Sequence, residues 1–478
     1  MSPGVNVNIT NAPAPTSRPS ETGKFFVVGQ AERGGVSPIG SASIGGPIIV
    51  HSISELKAKC GEPVSGSQLY PGLEEFFAEG GNTAIVGREI GSAAAVANST
   101  VLVKAGGTNS LKLLAKSSGA WGSELSAVVA EEEAGTKFSV VVKLKGETVE
   151  TKLGLTSVKA AVEWAEASEY LSVQELTAGL PKAGTYSLTG GSNGTPETTA
   201  AVETALKLFF KDLGCGQVAV VGNTTPGAQE ALLSHCETQE RTALVDLAPA
   251  GATVPELKNN ALTLRNKTGA RRGAGFSTWA TIPGIAPGTT RTVPWSCVQA
   301  GILASNDGEN TPPHVNEAAA GLNGKPKNVL AITEFTRTER EELNEARVNA
   351  IRNVPALGIE TYGNVTLVSA SAEPAWEELS AVRLYMYVSS EGEQILETFV
   401  FDEIDPHGLL FQRAGGALQA FLESLGAQLY NPASQAVNVG SSVNTPETIK
   451  KHQLNAAILV QPSPAAETVT LNITAKGV

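Results

Sequence analysis

The segment Gly190-Gly191-Ser192-Asn193-Gly194 matches the G-x-S-x-G pattern in which a sharp turn lifts a serine to act as a nucleophile. That geometry needs an apolar strand before the turn and a helix directly after it. Here Tyr186-Ser187-Leu188-Thr189 is short, and Thr195-Pro196-Glu197 reads as a helix cap, a first helical proline and an early acid. A glycine-rich junction between two units is therefore expected. Gly214-Cys215-Gly216 with Ala219 imitates a dinucleotide-binding turn, but a strand follows it instead of preceding it, so no helix N-terminus would meet a pyrophosphate. His51, His235, His314, His407 and His452 are scattered without an H-E-x-x-H or an i, i+4 pair, and neither a metal nor another cofactor is expected. Cys60, Cys215, Cys236 and Cys297 are too widely spaced for a zinc or redox pair and read as free buried thiols.

Three further groups carry chemistry on paper. Asp246 ends the apolar run Thr242–Leu247, where an α/β domain often places function, and with a distant Ser and His it would suit a hydrolase; capping a neighbouring helix or loop is the plainer role. Asn306-Asp307-Gly308-Glu309-Asn310 resembles part of a calcium loop but lacks its closing glutamate, and reads as a turn. Glu131-Glu132-Glu133, and Glu339–Glu345 with Arg337, Arg340 and Arg347, read as solvated faces or as charges that pair between subunits.

The elements that must position these groups alternate between two textures. Lys24–Gly29 reads as a buried strand, Leu73–Phe77 as a helix stopped by Gly80-Gly81, and Thr83–Val86 as the next strand. Between about Ser92 and Leu188 strand-like alternation dominates, in Ser110–Ala115, Leu125–Glu131 and Lys137–Leu144, with one helix near Val158–Ala167. Helix and strand then alternate again: Ala200–Leu213, Gln217–Val221, Gly227–Cys236, Thr242–Leu247. A β-rich segment between two α/β segments reads as an insertion. Glu373–Glu397 and His407–Leu425 have helical spacing, although Arg383–Val388 also has the β-branched and aromatic content of a strand. Gln435–Val439 and Asn455–Val460 would form a small sheet with free edges, a liability that proteins usually cover.

Both ends supply covers. Val5, Val7 and Ile9 alternate with asparagines before a tract holding Pro13, Pro15 and Pro19, and Val469, Leu471 and Ile473 alternate with polar residues after Pro462 and Pro464. A strand with no nearby partner leaves its backbone groups unpaired, so each must add to a sheet edge, of its own chain or of another subunit. The acceptor edges would carry Val437, Val439, Ala457 and Leu459.

Composition narrows the classes. The 478 residues suggest about three domains. Thirty-five basic against 47 acidic residues give a net charge of −12, which disfavours nucleic-acid binding. No run approaches the roughly 20 apolar residues of a membrane span, and Met1–Ile9 lacks the features of a signal peptide, so neither membrane insertion nor signal-directed secretion is expected.

The ordered series of short motifs resembles the tail sheath protein family of contractile-tailed bacteriophages. Pro3-Gly4-Val5-Asn6-Val7 is similar to its P-G-V-Y-V opening, and Phe26–Gly34 to its F-V-G-x-A-x-x-G-P run. Leu188–Gly194 is similar to L-S-G-G-x-D-G, Ala300–Asp307 to A-G-x-x-A-R-x-D, and Leu343–Ile351 to L-N-x-x-G-I-N-x-I. Asn444-Thr445-Pro446-Glu447, Leu454-Asn455-Ala456 and Pro464–Glu467 resemble the closing strand pair and arm. The chain departs at Asn6, at Ser305 where Arg is usual, and at Tyr362–Leu367 where W-G-A-R-T-L is usual.

The resemblance implies an α/β, α+β multidomain chain. Residues 24–91 and 190–370 would form a core similar in outline to subtilisin-like domains without a catalytic triad. Residues 92–189 would be an inserted outer β-rich domain and 371–461 a C-terminal α+β domain facing a tube. Residues 1–23 and 462–478 would be strand-exchange arms, with Val5, Val7, Ile9, Val469, Leu471 and Ile473 as the exchanged positions. The implied function is structural rather than enzymatic: hexameric rings stacked around a tail tube that contract to drive it through a host envelope for genome ejection. The implied partners are further copies of the chain, the tail tube protein, and baseplate and tail terminator proteins. The implied location is the virion tail, assembled in the host cytoplasm. A non-phage contractile injection system, such as a bacteriocin-like particle, and an α/β hydrolase stay open as alternatives.

Overall fold

Phe25–Gly29 has no polar face, and a strand of that kind must be covered on both sides. The structure, a computed structural model, describes residues 22–35, 46–103, 107, 109–177, 179–194, 199–309, 312–369, 371–405, 407–431, 436–467 and 469–471. Phe25–Gly29 lies inside an eight-stranded sheet ordered Gly358–Tyr362, Val348–Val354, Gly273–Phe276, Thr242–Asp246, Gln217–Val220, Phe25–Gly29, Ala84–Arg88, Ile48–Val50. The six inner strands are parallel, and the two edge strands are antiparallel to their neighbours.

Alternate residues of the central strand serve opposite layers. Phe25 and Val27 pack with helix α1 (Leu69–Glu79) and helix α2 (Trp295–Gly308), whereas Phe26 and Val28 pack with helices Thr199–Leu206, Pro226–Gln239 and Val254–Arg265. Helix α1 stops because Gly80 adopts φ +116, a region that side chains with a Cβ rarely enter, and lets Gly81 N–H reach Phe76 O at 2.9 Å.

The strands Asn109–Ala115, Leu125–Glu132, Lys137–Leu144, Glu147–Leu155, Leu171–Glu175 and Gly184–Ser187 build two small antiparallel sheets outside the central one. With helix Val158–Ala167 they enclose their own core, which includes Trp121, Leu125, Phe138, Val140 and Leu171. The chain enters and leaves through a neck in which Ala95 pairs with Ser192 and Asn98 with Thr189. Gly190–Gly194 is part of that neck. A Cβ on Gly194, whose φ is +71, would lie 2.4 Å from Ser92 O, so the crossing requires glycine. Buried Arg88 fixes the neck to the central sheet, donating to Ala31 O at 2.9 Å, Glu32 O at 2.8 Å and Ser118 O at 2.8 Å.

C-terminal to the sheet come helices α3 (Leu379–Glu397) and α4 (Leu409–Ser424), then the strands Ala436–Asn438 and Ala457–Leu459. Arg383–Val388 follows its helical spacing and not its strand-like content. Two readings change. The helix expected over Ala200–Leu213 ends at Leu206, with only a 3-10 turn at Lys211–Leu213. The turn expected at Asn306–Asn310 is, over Asn306–Gly308, the last part of α2. It stays helical because Asp307 is buried against Arg383 Nη2 at 2.5 Å and Thr22 Oγ1 at 2.6 Å. Val5, Val7, Ile9 and Ile473 lie outside the described residues.

Candidate functional site

Ala436–Asn438 and Ala457–Leu459 pair antiparallel, with Ala436 opposite Leu459, Val437 opposite Ile458 and Asn438 opposite Ala457. They form a two-stranded ribbon, so neither strand has a second neighbour among the described residues. Alternation assigns the faces. Val437, Ile458 and Val460 rest on a small core of Val315, Leu384, Tyr387, Val388, Leu422, Leu425 and Leu429. On the other face Leu459 is 65% exposed and Ala457 is exposed. The four expected edge positions therefore divide: Ala457 and Leu459 point outward, and Val437 inward. Val439 lies just past the strand end, 2.8 Å from where a Cβ on Gly415 of α4 would stand. A two-stranded ribbon is marginal in water and here depends on α3 and α4 for its inner face.

One buried residue holds the far ends of the two strands together. Asn444 Nδ2 donates to Val439 O at 2.8 Å and to Asn455 O at 2.7 Å, while its Oδ1 accepts from Asn455 N at 2.7 Å. Thr445 then caps the short helix Pro446–Lys450, accepting from Thr448 N at 3.3 Å.

The chain after the ribbon is fastened as far as Ala465 and exposed beyond it. Tyr430 N donates to Gln461 O at 3.0 Å, Ser463 N to Gln428 O at 2.9 Å, and Asn316 Nδ2 to Ser463 O at 2.8 Å. Ala465 N donates to Glu378 Oε2 at 3.2 Å. Burial raises the Glu378 pKa above the usual carboxylate range, against the pull of that hydrogen bond. Glu378 occupies the N-cap position of α3, whereas Ile458 Cδ1 lies 4.0 Å from a Cβ position on Gly392, fourteen residues along the helix. That separation is about 21 Å at 1.5 Å per residue. The exit point therefore lies well away from the chain's own ribbon. Val469 and Leu471 are 87% and 80% exposed and belong to no strand.

The beginning of the described chain is fastened equally firmly. Thr22 Oγ1 bonds Asp307, and Thr22 O accepts from Gln217 Nε2 at 3.0 Å. Gly23 is pressed against Ala304, whose Cα and Cβ lie 3.0 Å from where a Cβ on Gly23 would stand.

The residues that suggested catalysis are spent on structure. Asp246 accepts from Ser296 Oγ at 2.7 Å and Ser296 N at 3.1 Å, which caps the first turn of α2 as the strand-end reading expected. Burial pushes its pKa up to about 6, opposed by the two Ser296 bonds. Ser192 accepts from Gly194 N at 3.1 Å in the neck. His235 packs on Phe209 beside Arg241, and burial holds its pKa down at about 3. Asp246, Ser192 and His235 thus sit in three separate hydrogen-bonded settings. The crevice where strand order reverses, between Phe25–Gly29 and Gln217–Val220, is the usual ligand position of an open α/β sheet. Here Leu69 and Val221 both stand 3.1 Å from a Cβ position on Gly29 and fill it. Among the described residues no cluster of three His, Cys, Asp or Glu could hold a metal, and all four thiols are buried and free.

No sequence-family model and no curated protein sequence matches the chain. Solved structures do match over nearly the full length. The sheath tail protein from Listeria innocua superposes with a TM-score of 0.60 at 12% identity, covering 94% of this chain and 96% of its own. A chain of the sixfold-symmetrised anti-feeding prophage baseplate gives 0.57 at 14% identity, covering 100% and 99%. The sheath complex of an extracellular contractile injection system, PVC, in its contracted state gives 0.56 at 14%, covering 99% and 97%. The chain has the fold of contractile sheath proteins. Within that sheath fold the Ser305 departure has a local explanation: its hydroxyl accepts from Lys327 Nζ at 2.8 Å, so a cation reaches this end of α2 from another segment. At the Tyr362–Leu367 departure Val365 is buried, with its N–H bonded to Asn349 Oδ1 at 2.8 Å and its carbonyl to Asn349 Nδ2 at 2.8 Å.

Proposed function

We propose that the chain is the structural subunit of a contractile sheath. It polymerises as stacked hexameric rings around a tail tube and contracts to drive the tube through a host envelope, in a phage tail for genome ejection. The observation that carries this reading is a ribbon whose two edges are open among the described residues, together with a separate arm whose apolar residues leave the body exposed. Val469, Leu471 and Ile473, and Val5, Val7 and Ile9, are the strands given to neighbours; the edges of Val437–Val439 and Ala457–Leu459 receive them. Residues 1–23 and 462–478 act as the arms, 24–91 with 190–370 as a core similar in outline to subtilisin-like domains, 92–189 as an outer domain, and 371–461 as the tube-facing domain. Further copies of the chain, a tube protein, baseplate and terminator proteins are the partners, and the assembled particle is the site of action. Free energy stored in an extended lattice, released as subunits bury more surface, drives the motion without a nucleotide.

A non-phage injection particle is a second reading, favoured by the near-complete superposition on anti-feeding prophage and PVC chains. The same chemistry serves both. Negative-stain microscopy of the purified chain, alone and with a candidate tube protein, tests the shared claim: striated hollow cylinders are expected, and monomers in both samples would remove it.

A further inference from the structure

The roots of the two arms are joined inside the molecule. Thr22 Oγ1 and Arg383 Nη2 meet on one oxygen, Asp307 Oδ2, at 2.6 Å and 2.5 Å. Arg383 Nη1 continues to Val315 O at 3.4 Å. The next residue, Asn316, donates from Nδ2 to Gln428 O at 3.0 Å and to Ser463 O at 2.8 Å. Thr22, Asp307, Arg383, Val315 and Asn316 are all buried, and residues 22 and 463 are 441 positions apart in sequence. A second connection runs on the same helix, where Glu378 holds Ala465 N.

The ion pair at the centre is an odd choice for stability alone. Asp307 Oδ1 and Arg383 Nε find no protein partner among the described residues, and a buried ion pair with unsatisfied atoms seldom contributes net stability over an apolar replacement. Fixing one arrangement against others is the use such pairs serve best. What this pair arranges is where each arm leaves the body.

We propose that Thr22, Asp307, Arg383 and Asn316 are positioning residues forming a buried polar bridge that fixes the two arm roots relative to each other, so that displacement of one arm by a neighbouring subunit is passed to the other. The transmission step rests on the strand-exchange reading above; the fixed separation does not. Helix α3 is the common support, because it carries Arg383 at one contact and Glu378, at its N-cap position, at the other. Subunits would then move as links of constant length, with the arms as the couplings.

Spin labels on Lys24→Cys and Ala466→Cys, both among the described residues, measure the separation in the full-length monomer. The four native thiols are buried and do not compete for label. Thr22→Val removes the hydroxyl that reaches Asp307, and Asn316→Leu removes the Nδ2 bonds to Gln428 O and Ser463 O, both nearly without change of volume. Ser389→Ala, which removes an α3 bond to Glu240 outside the bridge, serves as control. The expected result is one narrow distance in parent and control, broadened in both bridge variants, with helix content unchanged by circular dichroism and loss of sheath yield when tube is added. Equal widths in parent and bridge variants overturn the bridge whatever the micrographs show. Broadening in variants of a parent that never assembles supports the bridge and removes the strand-exchange reading instead.

Discussion

The central sheet and the C-terminal ribbon solve the problem of backbone pairing in opposite ways. In the sheet every residue of Phe25–Gly29 is buried, each inner strand has two neighbours, and helices cover both faces. In the ribbon each strand is three residues long, one face is open and both edges lack a second strand among the described residues. The inner strands of the sheet are fully paired within one chain, and on the proposed strand-exchange reading the ribbon gains its remaining partners from other subunits. Stability and assembly are therefore expected to respond to different residues.

The largest effect is expected in the sheet. Phe26 is fully buried, packs edge-on against Phe209 and carries the Arg241 guanidinium 3.9 Å above its ring. Phe26→Ala leaves a cavity and a buried cation without its aromatic face, a loss of about 3–5 kcal/mol. Denaturant unfolding should show that loss, and assembly should fail only because little folded chain remains. A mild effect would show that the sheet is less self-sufficient than its burial indicates.

The next effect sharpens the contrast through pH. Glu75 and Glu79 of α1 lie buried together under the sheet, gripped by Asn328 Nδ2 at 2.8 Å from Glu75 and by Lys327 N at 2.6 Å and Asn328 N at 3.0 Å from Glu79. Burial first, then the adjacent Glu79, pushes the Glu75 pKa up to about 7, while Asn328 and Arg291 pull it down. The folded chain therefore keeps a proton that the unfolded chain releases near pH 4.5, and stability falls as pH rises from about 4.5 to about 7 and is level above that. The span corresponds to something on the order of 3 kcal/mol. Glu75→Gln keeps a neutral donor beside Glu79 at every pH, so it should flatten this slope and raise the melting temperature at pH 8 more than at pH 5. Ala436–Asn438 and Ala457–Leu459 hold no ionisable side chain, so ribbon pairing should not follow the same slope.

What could be read from sequence follows the same division. Strands with continuous apolar runs and helices with local caps are locally encoded: Val158–Ala167 is bounded by Ser157, whose side chain accepts from Ala160 N, and its limits follow from that cap and its apolar spacing. Arg383–Val388 was ambiguous because nearly every position of α3 from Leu379 to Val388 is buried, so no polar stripe marks the helical period. Asp307 looked like a turn residue because its partner Arg383 is 76 residues away and nothing local signals it. Asp246 was legible as a cap from its place at a strand end, but the capped helix, fifty residues on, was not. In the candidate site, the alternation of Val469 with Leu471 and the shortness of the ribbon strands are visible in the sequence. The fastening of the arm root by Glu378 and Asn316 is not, because hydrogen bonds across 87 and 147 residues leave no periodic trace.

The smallest effect on stability should accompany the greatest effect on assembly. Leu459 is mostly exposed on the ribbon's open face, and Val469 and Leu471 are exposed in the single chain. Leu459→Asp, or removal of residues 467–478, takes away no buried contact among the described residues, and exposed substitutions of this kind usually change stability by no more than about 0.5 kcal/mol. The unfolding midpoint should therefore stay close to that of the parent. Sheath formation should nevertheless be lost in both variants, because an aspartate placed where an apolar strand must lie has to be desolvated, and a missing arm leaves the neighbour's edge open. Paired melting curves and micrographs of the same preparations separate the two quantities. Cylinders from either variant would show that the open edges are not where subunits join, and the contrast between a finished sheet and an unfinished ribbon would then describe the monomer alone.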